Sequence, residues 1–151
     1  MSGPAPGNYR LQNFQTMWTV TTKPAGTQAQ PGDAIKTEKG ADRTFPEASV
    51  MITQKIVVSA GIGGQYSFRN LEAKLWIGAG KNKDGLPAAV WTTSEQFWDV
   101  VPLGPGYWTI SFPGAANAFW YDSSDGGNPW NQVLLTKNES LVQYYWYFAA
   151  A

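Results

Sequence analysis

The chain has 151 residues, with eleven acidic and eleven basic side chains and a formal charge of zero. It has no basic run that could follow a phosphate backbone, so nucleic acid is not an expected partner. It also has neither cysteine nor histidine, which removes disulfides, thiolate nucleophiles, imidazole metal sites and every catalytic arrangement built on a histidine base.

Residues 1–7 show neither the charged nor the apolar segment of a secretory leader, so a cytoplasmic location is expected. Gly, Pro and polar residues interrupt every uncharged stretch, so no membrane insertion is expected. From there on apolar side chains recur at period two. Tyr9 and Leu11, then Trp18 and Val20, place alternate residues on one face and predict strands over 8–13 and 16–23. An ambiguous stretch follows, before a strand over 54–59. Strands are predicted next over 65–70, 74–79, 88–93 and 96–102, and finally over 107–112, 118–123, 131–137 and 142–148. Turn signals separate them, among them Gln30-Pro31-Gly32-Asp33, Lys83-Asp84-Gly85 and Gly104-Pro105-Gly106.

The elements repeat. Gly7, Gly64 and Gly106 are each followed two residues later by an aromatic, Tyr9, Tyr66 and Trp108, and two further on by Leu11, Phe68 and Ile110. A tryptophan behind a bulky apolar residue comes next: Met17-Trp18, Leu75-Trp76 and Phe119-Trp120. Each unit closes on a glutamine that opens an apolar run, at Gln54, Gln96 and Gln143. Three units of about four strands predict an all-β chain, a β-trefoil of twelve strands with three pseudo-threefold repeats over about 7–60, 64–103 and 106–151. One such unit cannot cover its own apolar face, whereas three around an axis cover one another, giving a single domain over 1–151. The expected core is then Tyr9, Tyr66, Trp108, Trp18, Trp76 and Trp120, with Ile56 and its counterparts Trp98 and Tyr145.

Where the repeats disagree, function is expected. From repeat tryptophan to repeat glutamine takes 36 residues in the first unit, 20 in the second and 23 in the third, so surplus length lies within 24–48. Surplus loops on a symmetric scaffold commonly carry binding residues, although loop closure also tolerates idle insertions. Lys36, Lys39 and Arg43 stand there among prolines, the setting for a stiff loop that enters a protease cleft as a substrate would. A second such place is the turn holding Lys137, Asn138 and Glu139. A different chemistry is offered by Asp125, Asn128, Trp130 and Asn131, with Trp91 added from the second unit. Indole faces and a few hydrogen-bonding groups are what a saccharide site requires. The carboxylate pairs Asp122–Asp125 and Glu95–Asp99 are the remaining catalytic possibility, but nothing in the sequence marks a cleft, and no enzymatic activity, metal or cofactor is expected.

The three Gly-x-aromatic units and the closing Gln143-Tyr144-Tyr145-Trp146-Tyr147-Phe148 strand resemble the small mushroom β-trefoil proteins. These comprise protease inhibitors of the cospin and cnispin type, their clitocypin relatives, and ricin-B-type lectins. The lectin group has a Gln-x-Trp in each unit, which this chain matches at Gln96-Phe97-Trp98 and replaces at Gln54-Lys55-Ile56 and Gln143-Tyr144-Tyr145. The inhibitor resemblance implies a reactive segment between strands two and three or between strands eleven and twelve, with Lys137 positioned as a trypsin-directed residue. The expected function is inhibition of a protease, a serine protease first, with carbohydrate binding as the alternative, so the expected partner is a protease or a glycan.

Overall fold

Leu11, Phe68 and Ile110, each four residues past its repeat glycine, are fully buried in one apolar cluster. The computed structural model that shows this describes residues 3–38, 52–123, 130–137 and 142–150. The first repeat supplies β1 (Gly7–Asn13), β2 (Thr19–Thr21), β3 (Lys36–Glu38) and β4 (Ile56–Ala60). The second supplies β5 (Gln65–Asn70), β6 (Leu75–Lys81), β7 (Pro87–Thr92) and β8 (Trp98–Gly104). The third supplies β9 (Tyr107–Ser111), β10 (Phe119–Asp122), β11 (Trp130–Thr136) and β12 (Trp146–Ala150).

The first and last strands of each repeat form a closed antiparallel ring in the order β1, β4, β5, β8, β9, β12 and back to β1. Closure leaves this barrel without a free edge. The middle strands form three hairpins, β2–β3, β6–β7 and β10–β11. These cap one end by pairing with one another: β3 with β11, β7 with β11, and Ala34 with Val90. This is the layout expected of the twelve strands.

Pairing corrects the repeat alignment in two places. Tyr9, Tyr66 and Trp108 stand opposite Ile56, Trp98 and Trp146, so the third counterpart of Ile56 is Trp146 and not Tyr145. The extra residue is taken up by a 3₁₀ turn over Val142–Tyr144, where a strand from 142 was expected. Trp98 Nε1 donates to the Ile77 carbonyl at 2.9 Å and Trp146 Nε1 to the Trp120 carbonyl at 3.2 Å, the same bond in two repeats. The second correction concerns Trp18 and Trp76. Gln12, Arg69 and Ser111 pair with Thr19, Trp76 and Phe119, so the equivalent inward residues are the next ones along, Val20, Ile77 and Trp120, all fully buried. Trp18 and Trp76 are half-buried. A one-residue slip in a strand moves a side chain to the other face, and counting from the glycine could not detect it because the intervening turns differ in length.

Trp120 is the hub of the core. Its ring meets Phe68 at 5.4 Å, Trp98 at 5.4 Å and Trp146 at 5.6 Å, the two indoles nearly edge-on. Edge-to-face contacts of this kind add about 0.5–1.5 kcal/mol each beyond the area they bury.

Candidate functional site

The surplus length of the first repeat is not one protruding loop, because β3 lies in the middle of it. Residues 22–35 join β2 to β3 and are fastened along their length. Ala29 N donates to the Thr22 carbonyl at 2.7 Å, Gly32 N to the Trp91 carbonyl at 2.7 Å, and Ile35 N to the Ala89 carbonyl at 2.8 Å. Ala25 N donates to Glu38 Oε1 at 2.8 Å, and Gln30 N to Asp33 Oδ2 at 2.8 Å. Ala25 takes a left-handed φ of 50° at the apex of a short turn over Pro24–Gly26, a conformation that costs a residue with a Cβ about 1–2 kcal/mol. Ile35, fully buried, plugs the connection into the core.

This course places Lys36 on a paired strand, a correction to its expected place in a protruding loop. In the β3–β11 register Lys36 faces Gln132 and Trp130 faces Glu38, so these four side chains share the outer face. Lys36 Nζ rests 4.2 Å from the centroid of the Trp130 ring. Both residues, with Pro24, Gln28, Asp33 and Ala34, line a hollow of about 220 Å³. The two chemistries that the sequence kept apart, a loop lysine and a loop tryptophan, therefore meet at one place.

Alternation sends the neighbouring residues inward. Asn131 is 3% exposed and Trp91 is 1% exposed, so neither presents a face to a ligand, a correction to their expected role in carbohydrate binding. Trp91 belongs to the core cluster, and residues 32–35 run along the edge of β7 beyond its bridge to β11, hydrogen-bonded to the backbone of Ala89 and Trp91. Lys137 is exposed just past β11. Its carbonyl is engaged from within, accepting the hydroxyl of the buried Tyr144 at 2.6 Å. Lys39, Arg43, Asp125, Asn128, Asn138 and Glu139 lie outside the described residues.

Among the described residues the acidic side chains do not gather. Asp122 is buried, and its Oδ2 accepts the Thr16 hydroxyl at 2.9 Å and the Thr37 hydroxyl at 3.5 Å, which ties the third repeat to the first. Glu95 Oε2 accepts from the Ser67 hydroxyl at 2.7 Å. Asp99 lines a second hollow, on the barrel wall.

No protein-family model matches the sequence, and no curated protein does. Solved structures do match. The Rhizoctonia solani agglutinin is similar over 100% of this chain and 99% of its own, at 20% identity and a TM-score of 0.75. The Macrolepiota procera ricin B-like lectin, solved in complex with lactose, is similar over the whole of both chains at 12% identity and a TM-score of 0.70. The designed threefold-symmetric protein ThreeFoil is similar over 95% of this chain and 99% of its own, at 12% identity and a TM-score of 0.71. The fold is a β-trefoil. At such identities the likeness carries no more than that, and the site has to be argued from its own residues.

Proposed function

We propose that this β-trefoil binds carbohydrate, through the hollow between the β2–β3 connection and the start of β11. The observation that carries the proposal is the position of Trp130: a half-buried indole on the outer face, lining a hollow that also holds Gln28, Asp33 and Lys36. A planar apolar surface beside an amide, a carboxylate and an ammonium suits a saccharide, whose ring carbons stack while its hydroxyls take hydrogen bonds. The neighbours include an agglutinin and a lactose-bound lectin of the same fold, which supports the reading. A glycan array on the protein and on Trp130→Ala tests it. Selective signals that the substitution removes are expected, and an array blank for both proteins would end the proposal.

Protease inhibition is the second reading, and one observation favours it. Lys137 combines an exposed side chain with a backbone held by Tyr144 and Thr136. Such rigidity lowers the entropy lost on entering a protease cleft. The same hydrogen bond weighs against it, since a substrate-like residue must turn its carbonyl out to the protease's oxyanion hole. Stoichiometric inhibition of trypsin that Lys137→Ala abolishes would establish this reading. A full panel of serine, cysteine and asparaginyl proteases left uninhibited would dismiss it.

A further inference from the structure

The three repeats place different side chains at one equivalent spot on the barrel wall, and among the described residues the third leaves it open. In the second repeat Arg69 stands opposite Trp76 and lays its guanidinium carbon 4.2 Å from the ring centroid. In the first, Gln12 stands opposite Thr19 and reaches it through Nε2 at 3.4 Å, with the Met17 carbonyl at the same distance. In the third, the opposing pair is Ser111 and Phe119. A serine is too short to cover a phenyl ring, and a hollow of about 530 Å³ opens there.

The groups lining this hollow differ from those of the other repeats in a consistent direction. Asp99 stands in register with Ser111, whereas Val57 and Tyr147 occupy that register position beside Arg69 and Gln12. The hydroxyl-bearing Thr109 and Ser111 are more than nine-tenths buried, line the hollow, and make no side-chain hydrogen bond among the described residues. Farther along β8, Val101 and Leu103 are 50% and 46% exposed and form an apolar rim on the same face as Asp99. The third repeat therefore has the aromatic ring, lacks the arginine, and adds a carboxylate where the arginine's charge would be matched.

We infer that this hollow is a docking site for an arginine side chain of a partner protein, which stands over Phe119 as Arg69 stands over Trp76, with its guanidinium paired to Asp99. Arginine fits better than lysine because its planar fork can stack on a ring and hydrogen-bond a carboxylate and two hydroxyls together. Val101 and Leu103 select apolar residues beside that arginine. This site is separate from the Trp130 hollow and stands or falls independently of carbohydrate binding there.

The test is a titration of the ¹⁵N-labelled protein with N-acetyl-arginine amide, followed by amide chemical shifts, beside its neutral isostere N-acetyl-citrulline amide. The arginine compound should give saturable shifts confined to β8, β9 and residues 112–119, with a Kd of the order of millimolar, as fits a single side chain. Citrulline should bind at least tenfold more weakly. Asp99→Asn should weaken arginine binding at least tenfold. Ser111→Arg, which installs in this repeat the residue that the second repeat already has, should abolish it while leaving the remaining spectrum in place. Equal shifts from arginine and citrulline, shifts elsewhere on the surface, or undiminished binding by Asp99→Asn would overturn the inference. So would saturable displacement of the same resonances by a neutral sugar such as galactose with none by arginine.

Discussion

The ammonium of Lys36 covers the indole of Trp130 diagonally across the β3–β11 pair, 4.2 Å from the ring centroid. A cation–π contact at a partly exposed site contributes about 0.5–1 kcal/mol. Lys36→Met keeps the apolar stem and removes the charge, so urea unfolding should show a loss of that size. Lys36 is also one of the polar groups lining the hollow. A neutral glycan should bind Lys36→Met several-fold more weakly than the parent and Trp130→Ala at least tenfold more weakly, both read by calorimetric titration.

Two buried indoles of equal bulk should respond differently to the same substitution. Trp98 Nε1 donates to the Ile77 carbonyl, whereas Trp91 Nε1 is buried with no partner among the described residues. Replacing Trp91 by Phe removes an unsatisfied donor, and replacing Trp98 by Phe strands a buried carbonyl. Guanidinium unfolding should therefore find Trp98→Phe about 1–3 kcal/mol more costly than Trp91→Phe.

Asp122 links hydroxyls from two parts of the first repeat to the third. A group left without its partner in the interior costs about 1–3 kcal/mol, and Asp122→Ala takes the acceptor from two hydroxyls, so it should cost several kcal/mol, of the order of 3. Asp122→Asn retains an acceptor and should recover part of it. Indistinguishable denaturation midpoints for all three proteins would show that the buried carboxylate is not a tether.

Tyr66 gives the fold an alkaline limit. Burial first, and the neighbouring Tyr9 second, raise its hydroxyl pKa above the usual value. The folded state thus holds the proton more tightly than the unfolded one. The corresponding stability is complete below the ordinary tyrosine range near 10 and is lost as pH rises through the folded value. Thermal melts between pH 8 and 11 should fall more steeply for the parent than for Tyr66→Phe.

Much of this was legible in the sequence, for a definite reason. Period-two alternation around Leu11, Phe68 and Ile110 and the regular glycines describe local backbone, and β5 occupies the residues predicted for it. The candidate site was legible only in pieces. Trp130 and Lys36 each stood out, but nothing within either segment showed that they touch, since 94 positions separate them. Trp91 lies fully inside, in the core cluster, and its own segment gives no sign of that or of residues 32–35 running alongside β7.

The sequence by itself determined the threefold repetition and, through it, the architecture, because a unit with one uncovered apolar face has to find its copies. Only the tertiary structure decided register, and with it which side chains face solvent. A strand shifted by one residue keeps the same composition and period while exchanging its two faces. That is why Trp146 and not Tyr145 lies in the core, and why Lys36 covers an indole. It is also why the place filled by Arg69 in one repeat stands open beside Ser111 in another.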